Sequence, residues 1–231
     1  MEYFTFQNFF TNKTLLKNIK LLDQASIATI DLNTNKVKID QYWDYDFIDG
    51  DSSDPRELRE ELDRLLQQAV KRQLVSDVPL GSYLSGGMDS GTLTAIASQH
   101  LPYINTFTCG FDLSSASGME LLFDEREKAE SMSYLFKTEH YEMVLKSGDM
   151  ERCLPRLAYA LEEPRVGQSY PNYYISKLAS KFVSVVLSGI GGDELFAGYS
   201  WRYNRVKNAE NYEDFMAKSY MYWQRLIEDK D

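Results

Sequence analysis

From residue 54 onward, short apolar runs of strand length alternate with longer stretches of helical periodicity, and that alternation leaves few folds open. Residues 78–84, 104–109, 141–145 and 182–187 read as strands, and 89–99, 124–136, 149–161 and 171–181 read as helices. Strands separated by helices favour a parallel sheet covered on both faces, so the expected fold class is α/β. A helix opens the region, with Asp54 as its expected N-cap, Pro55 at the first helical position and Glu57 three residues after the cap. Leu58, Leu62, Leu65, Leu66, Ala69, Val70 and Leu74 share one of its faces and are expected to face the core. Residues 1–53 differ. They are rich in Phe, Tyr and Asn, and the alternating segments 26–30 and 36–39 predict a hairpin around Leu32, Asn33, Thr34 and Asn35. The acidic, turn-prone stretch 48–54 is the expected linker, which divides the chain into a small β piece, 1–53, and an α/β domain, 54–231.

In open α/β sheets, ligands bind outside the carboxyl ends of the strands, so the loops that follow apolar runs carry the chemistry. Two stand out. The first is Leu84-Ser85-Gly86-Gly87-Met88-Asp89-Ser90, between a strand and a helix. Its glycines allow close backbone approach, its serines offer hydroxyls, and the helix start offers free N–H groups to a phosphate. Asp89 would repel that phosphate unless a cation lay between them, which points to Mg²⁺. The second loop, Ser188-Gly189-Ile190-Gly191-Gly192-Asp193-Glu194, repeats the design, with an acid at the expected start of a helix. Asp89 and Asp193 are therefore the expected metal pair. The competing reading of each loop is structural, since a Gly-Gly turn joins many strands to helices and an Asp at a helix start often only caps it.

Composition narrows the partners. A net charge of −10 argues against sequence-independent nucleic-acid binding, which needs clustered Lys and Arg. The apolar runs, such as 182–187, are too short to span a bilayer, and no charged-then-apolar leader opens the chain, so a cytoplasmic protein with no membrane partner is expected. Cys109 and Cys153 are the only cysteines, and both are expected to be reduced.

The run Ser85-Gly86-Gly87-Met88-Asp89-Ser90 resembles the SGGxDS pyrophosphate loop of the N-type ATP pyrophosphatases. Residues 75–81 and 188–199 are similar to the synthetase domain of glutamine-dependent asparagine synthetases, and residues 3–22 and 42–44 look like the end of that family's glutaminase domain and its connector. The resemblance implies an adenine-nucleotide alpha-hydrolase-like fold and a ligase that uses ATP and Mg²⁺ to activate a carboxylate as its acyl-adenylate, for attack by ammonia or another amine. It implies that Ser85, Gly86, Gly87 and Ser90 cradle pyrophosphate, that Asp89 and Asp193 hold Mg²⁺, and that Leu84, Cys109 and Gly189 line the adenine and ribose pocket. Three departures qualify it. The chain begins Met1-Glu2-Tyr3 where the family's glutaminase has a cysteine nucleophile after Met removal, so no glutamine hydrolysis is expected. Ile190 stands where asparagine synthetases have Glu and β-lactam-forming relatives have Tyr; it cannot transfer a proton, which leaves the acceptor acid open. The chain stops at Asp231, where the family continues into a helical region with a pyrophosphate-binding lysine, so either a glutaminase or C-terminal partner subunit, or an incomplete enzyme, is expected.

Other signals are weaker. His100 and His140 have no metal-ligand spacing, and Glu162-Glu163-Pro164 reads equally as an acceptor-pocket segment or as an acidic turn ending a helix. Residues 212–226 read as a helix packing surface. A dinucleotide fingerprint fails because Glu194 replaces the third glycine, and no Walker motif occurs. A split or truncated synthetase fragment that binds nucleotide or a partner without turnover is the alternative of a different class.

Overall fold

A computed structural model describes residues 2–6, 8–46, 54–115, 124–164 and 169–223. All but the last residue of the linker expected over 48–54, and the end of the last expected helix, lie outside these residues. The chain divides into two compact units: Met1–Asp54 with Leu161–Arg165 and Arg205–Asp231, and Pro55–Ala160 with Val166–Asn204.

In the first unit, α1 (Glu2–Phe6) precedes an antiparallel hairpin of β1 (Ser26–Ile30) and β2 (Val37–Gln41). The hairpin follows from the alternating pattern, and its turn is tied by Asp31, whose carboxylate accepts the Asn33 and Thr34 N–H groups at 2.8 and 3.2 Å.

The second unit is built on a sheet of β3 (Leu80–Tyr83), β4 (Asn105–Phe111), β5 (Glu139–Leu145) and β6 (Val185–Leu187). Their order is β5-β4-β3-β6 and every neighbouring pair is parallel. Between and around them run α2 (Pro55–Gln73), α3 (Met88–His100), α4 (Arg126–Phe136), α5 (Asp149–Leu161) and α6 (Ser169–Ala179). The short helices α7 (Gly192–Leu195) and α8 (Ser200–Tyr203) follow β6, and α9 (Tyr212–Trp223) belongs to the first unit. Each parallel crossover must return the chain to the same end of the strands, and right-handed crossovers that run in opposite directions along the sheet place helices on opposite faces.

Successive strand residues point to opposite faces, and the two cores show it. Leu187 packs with Val70, Ile96, Ala97 and Ile104 on the α2 and α3 side, whereas its neighbour Val186 packs with Phe107, Ile175, Ala179 and Val183 on the α6 side. The α3 side also buries hydroxyls. Ser82, Thr94 and Thr106 are almost wholly buried, and the Ser82 and Thr94 hydroxyls lie 2.8 Å apart.

Two expectations need correction. Only the second half of α2 joins the core, through Leu66, Val70 and Leu74, while Leu58, Leu62 and Leu65 remain 45%, 45% and 46% exposed. The expected strand over 182–187 begins only at Val185, because residues 180–183 continue the end of α6 as a turn whose Val183 N–H donates to Ala179 O at 3.0 Å. Among the described residues, no helix is long and apolar enough to cross a membrane.

Candidate functional site

The strand order reverses between β3 and β6: the chain steps outward from β3 to β4 and β5, then returns to pair β6 with the other edge of β3. The loops after β3 and β6 are thus the two that flank the topological switch point, where such sheets form a crevice. They are the two glycine loops singled out above.

The first loop is rooted in Leu84, which is fully buried. Its N–H donates to Phe107 O at 2.9 Å and its carbonyl accepts the Thr108 hydroxyl, so β4 fixes where the loop starts. The loop then folds on its own serines. Ser90 Oγ accepts the Ser85 N–H at 3.1 Å, lies 3.0 Å from Ser85 Oγ and donates to Gly87 O at 3.3 Å. Gly86 has φ +76°, which a side chain resists, and a Cβ there would come within 2.6 Å of Lys128 Cβ. Gly87 caps α3, whose first N–H groups have no partner within the helix.

The second loop is pressed onto the first. A Cβ on Gly189 would lie 2.6 Å from the Ser90 nitrogen, and one on Gly192 would overlap the Asp89 carboxylate. The Asp193 N–H donates to Asp89 Oδ2 at 3.2 Å across a separation of 104 residues. Asp89 and Asp193 are therefore brought onto touching segments, with the Asp193 carboxylate lying against Gly198. The helix expected to begin at Asp193 is a single turn capped by Gly191, too short to present an anion site of its own. The N-cap of that turn is Gly191, and Asp193 lies inside its first turn.

Asp89 and Asp193 are two carboxylates these loops offer to a cation. They sit on touching segments, and among the described residues no group of three or more acidic, His or Cys side chains could by itself hold a metal ion. Mg²⁺ keeps waters and takes the rest of its shell from substrate phosphates.

The remaining expected site residues are placed as follows. Cys109 lies inside β4, paired with Met143, with its side chain in the α6-side cluster. Burial, then the Asp124 carboxylate, push its thiol up to about 12, so it is not a nucleophile at neutral pH. Both Cys109 and Cys153 are free thiols. Ile190 is 88% exposed at the crest of the second loop.

Several contributors escaped the sequence reading. Thr94 donates to Ser90 O at 2.8 Å and so ties the start of α3 to the buried hydroxyl of Ser82. Asp124 and Arg126 form a forked ion pair, 2.9 and 2.7 Å, laid across Gly110, and Arg126 also donates to Phe111 O at 2.9 Å. That pair fixes the carboxyl end of β4 and holds the Asp124 carboxyl below the usual range, chiefly through the Arg126 hydrogen bonds. On the second loop, Glu194 accepts the Tyr199 hydroxyl at 2.8 Å, and the Arg202 guanidinium stacks 3.8 Å over the Tyr199 ring. Hydroxyls and an ion pair at these spacings carry no sequence periodicity, so only the fold identifies them.

The sequence model of the asparagine synthase family matches residues 61–229. A protein of Methanocaldococcus jannaschii named as a glutamine-hydrolysing asparagine synthetase is 35% identical over 197 residues, covering 83% of this chain and 36% of that protein. Asparagine synthetase 1 of Bacillus subtilis, also named as glutamine-hydrolysing, is 28% identical over 200 residues, 86% of this chain and 30% of its own length. The chain spans about a third of the length of these curated relatives. Among solved structures it is similar to NMN synthetase from Francisella tularensis, 15% identical, with a TM-score of 0.38 over 64% of this chain and 59% of that one. With the match running from the first turns of α2 to the end of α9 and taking in both glycine loops, the chain belongs to the asparagine synthase family.

Proposed function

We propose that the crevice between the two glycine loops binds Mg·ATP, and that the chain is the nucleotide-activating part of a cytoplasmic AMP-forming carbon–nitrogen ligase. The observation that carries this reading is the junction of the loops: Gly189 on Ser90, Gly192 on Asp89, and the Asp193 N–H on the Asp89 carboxylate. In this reading the N–H groups at the start of α3 and the Ser85 and Ser90 hydroxyls, 3.0 Å apart, would receive the β- and γ-phosphates. Mg²⁺, held by Asp89 and Asp193, would neutralise charge on the phosphate oxygens. A substrate carboxylate oxygen then attacks the α-phosphorus in line; the bond from that phosphorus to the bridging oxygen breaks, and pyrophosphate leaves with the electron pair. Ammonia or another amine adds to the acyl carbon, AMP departs, and the amine proton passes to solvent. The protein's contribution is alignment and charge neutralisation.

Ile190 favours a second reading, nucleotide binding without amide formation, because an exposed isoleucine at the crest of the loop has no proton to give or take. Calorimetry and ATP–pyrophosphate exchange with a panel of carboxylates separate the two. Mg·ATP should bind, Asp89→Ala should abolish binding, and Asp193→Asn should weaken it while the melting temperature of the ligand-free protein hardly moves. Exchange with any acid supports the ligase, and binding without exchange supports the second reading. A wild-type chain that binds no Mg·ATP ends both.

A further inference from the structure

Resting on that reading, we propose that Lys128 is the cation that engages the polyphosphate of the nucleotide at the first glycine loop. A chain of net charge −10 must supply positive charge locally to hold a triphosphate, and the first loop itself contains none. The structure brings α4 to it. A Cβ at Gly86 would lie 2.6 Å from Lys128 Cβ and 3.1 Å from the Ala129 nitrogen, and one at Gly91 would lie 2.9 Å from Met132 Sδ. Lys128 and Met132 are one turn apart on the same face of α4, so two glycines of the loop–α3 segment let that face dock at close range and root the Lys128 stem on the loop.

Two cations lie in this first part of α4, and only one is available. Arg126 is committed to Asp124 and to Phe111 O. Lys128 is exposed and forms no ion pair among the described residues. Its neighbour Glu125 is partly buried, and burial raises that carboxyl while Lys128 opposes the shift. A compact ammonium on a flexible four-carbon stem suits a moving phosphate better than a fixed fork does.

The test is calorimetry on the full chain with three probes: Mg·ATP, inorganic pyrophosphate with Mg²⁺, and AMP. Lys128→Ala and Lys128→Met should weaken Mg·ATP and pyrophosphate by roughly tenfold or more, the size of one charge-assisted hydrogen bond, and leave AMP unchanged. Lys128→Arg should restore most of the loss, and Lys128→Met keeps the apolar stem against Gly86 should the alanine variant fold poorly. Equal losses for AMP and ATP, or none for either, overturn the role of Lys128 while the nucleotide site stands. A wild-type chain that binds neither ATP nor pyrophosphate overturns the site and the lysine together.

Discussion

At the scale of residues, the site rests on one cross-loop contact, the Asp193 N–H on Asp89 Oδ2, and on the glycines that make room for it. Asp89, Asp193 and the glycine runs were legible in the sequence as positions because each follows an apolar strand and precedes a helix. The close approach of Gly192 to Asp89 was not, since nothing local to either residue encodes it. The same holds for His140. Its Nδ1 lies 2.9 Å from the Thr106 hydroxyl, while Nε2 is buried without a hydrogen-bond partner, 3.7 Å from Glu142 Oε1. Burial holds the imidazole below its usual 6.5, with the Glu142 and Glu130 carboxylates opposing. The unfolded chain therefore binds the proton more readily. The stability that His140 contributes is complete above about pH 6.5 and is lost as pH falls through the lowered folded value. His140→Asn, which keeps a partner for Thr106, should flatten the fall of melting temperature between about pH 7.5 and 5.5. Identical profiles for the two proteins would refute this.

Among the elements, α3 does the most, because its first turn belongs to the loop and its interior is tied to β3 through Thr94 and Ser82. Element identities from β3 to α6 follow from periodicity, and the ends shift by a few residues where turns compete. Helix α2 shows the limit of that reasoning. A continuous apolar face predicts burial along its whole length, yet only the turns that overlie α3 and β6 reach the core. Val70→Ala should accordingly cost about 1–3 kcal/mol in denaturant unfolding, whereas Leu62→Ala, at a position 45% exposed, should cost less than about 1 kcal/mol. Equal costs would mean that the first half of the helix is packed in solution. The single-turn α7 is a second limit. Gly191, at φ +116°, turns the chain and Phe196 ends the helix, so Asp193 sits in one isolated helical turn.

Across the whole molecule, the two units differ in what stabilises them. Every side chain of β2 is exposed, and a two-stranded hairpin of that kind is marginal in water, whereas β4 is buried along most of its length. Hydrogen exchange should therefore reach the amides of 26–41 well before those of 105–111, and comparable protection in both would show that the hairpin is covered in solution. By itself, the sequence determined the α/β class and the positions of both glycine loops, because period, turn chemistry and glycine placement act over a few neighbouring residues. Only the tertiary structure decided that β6 returns to the free edge of β3, which sets Asp89 against Asp193 across 104 residues and α4 against Gly86. Strand order is selected by non-local burial and crossover handedness, and neither leaves a mark in any short stretch of chain.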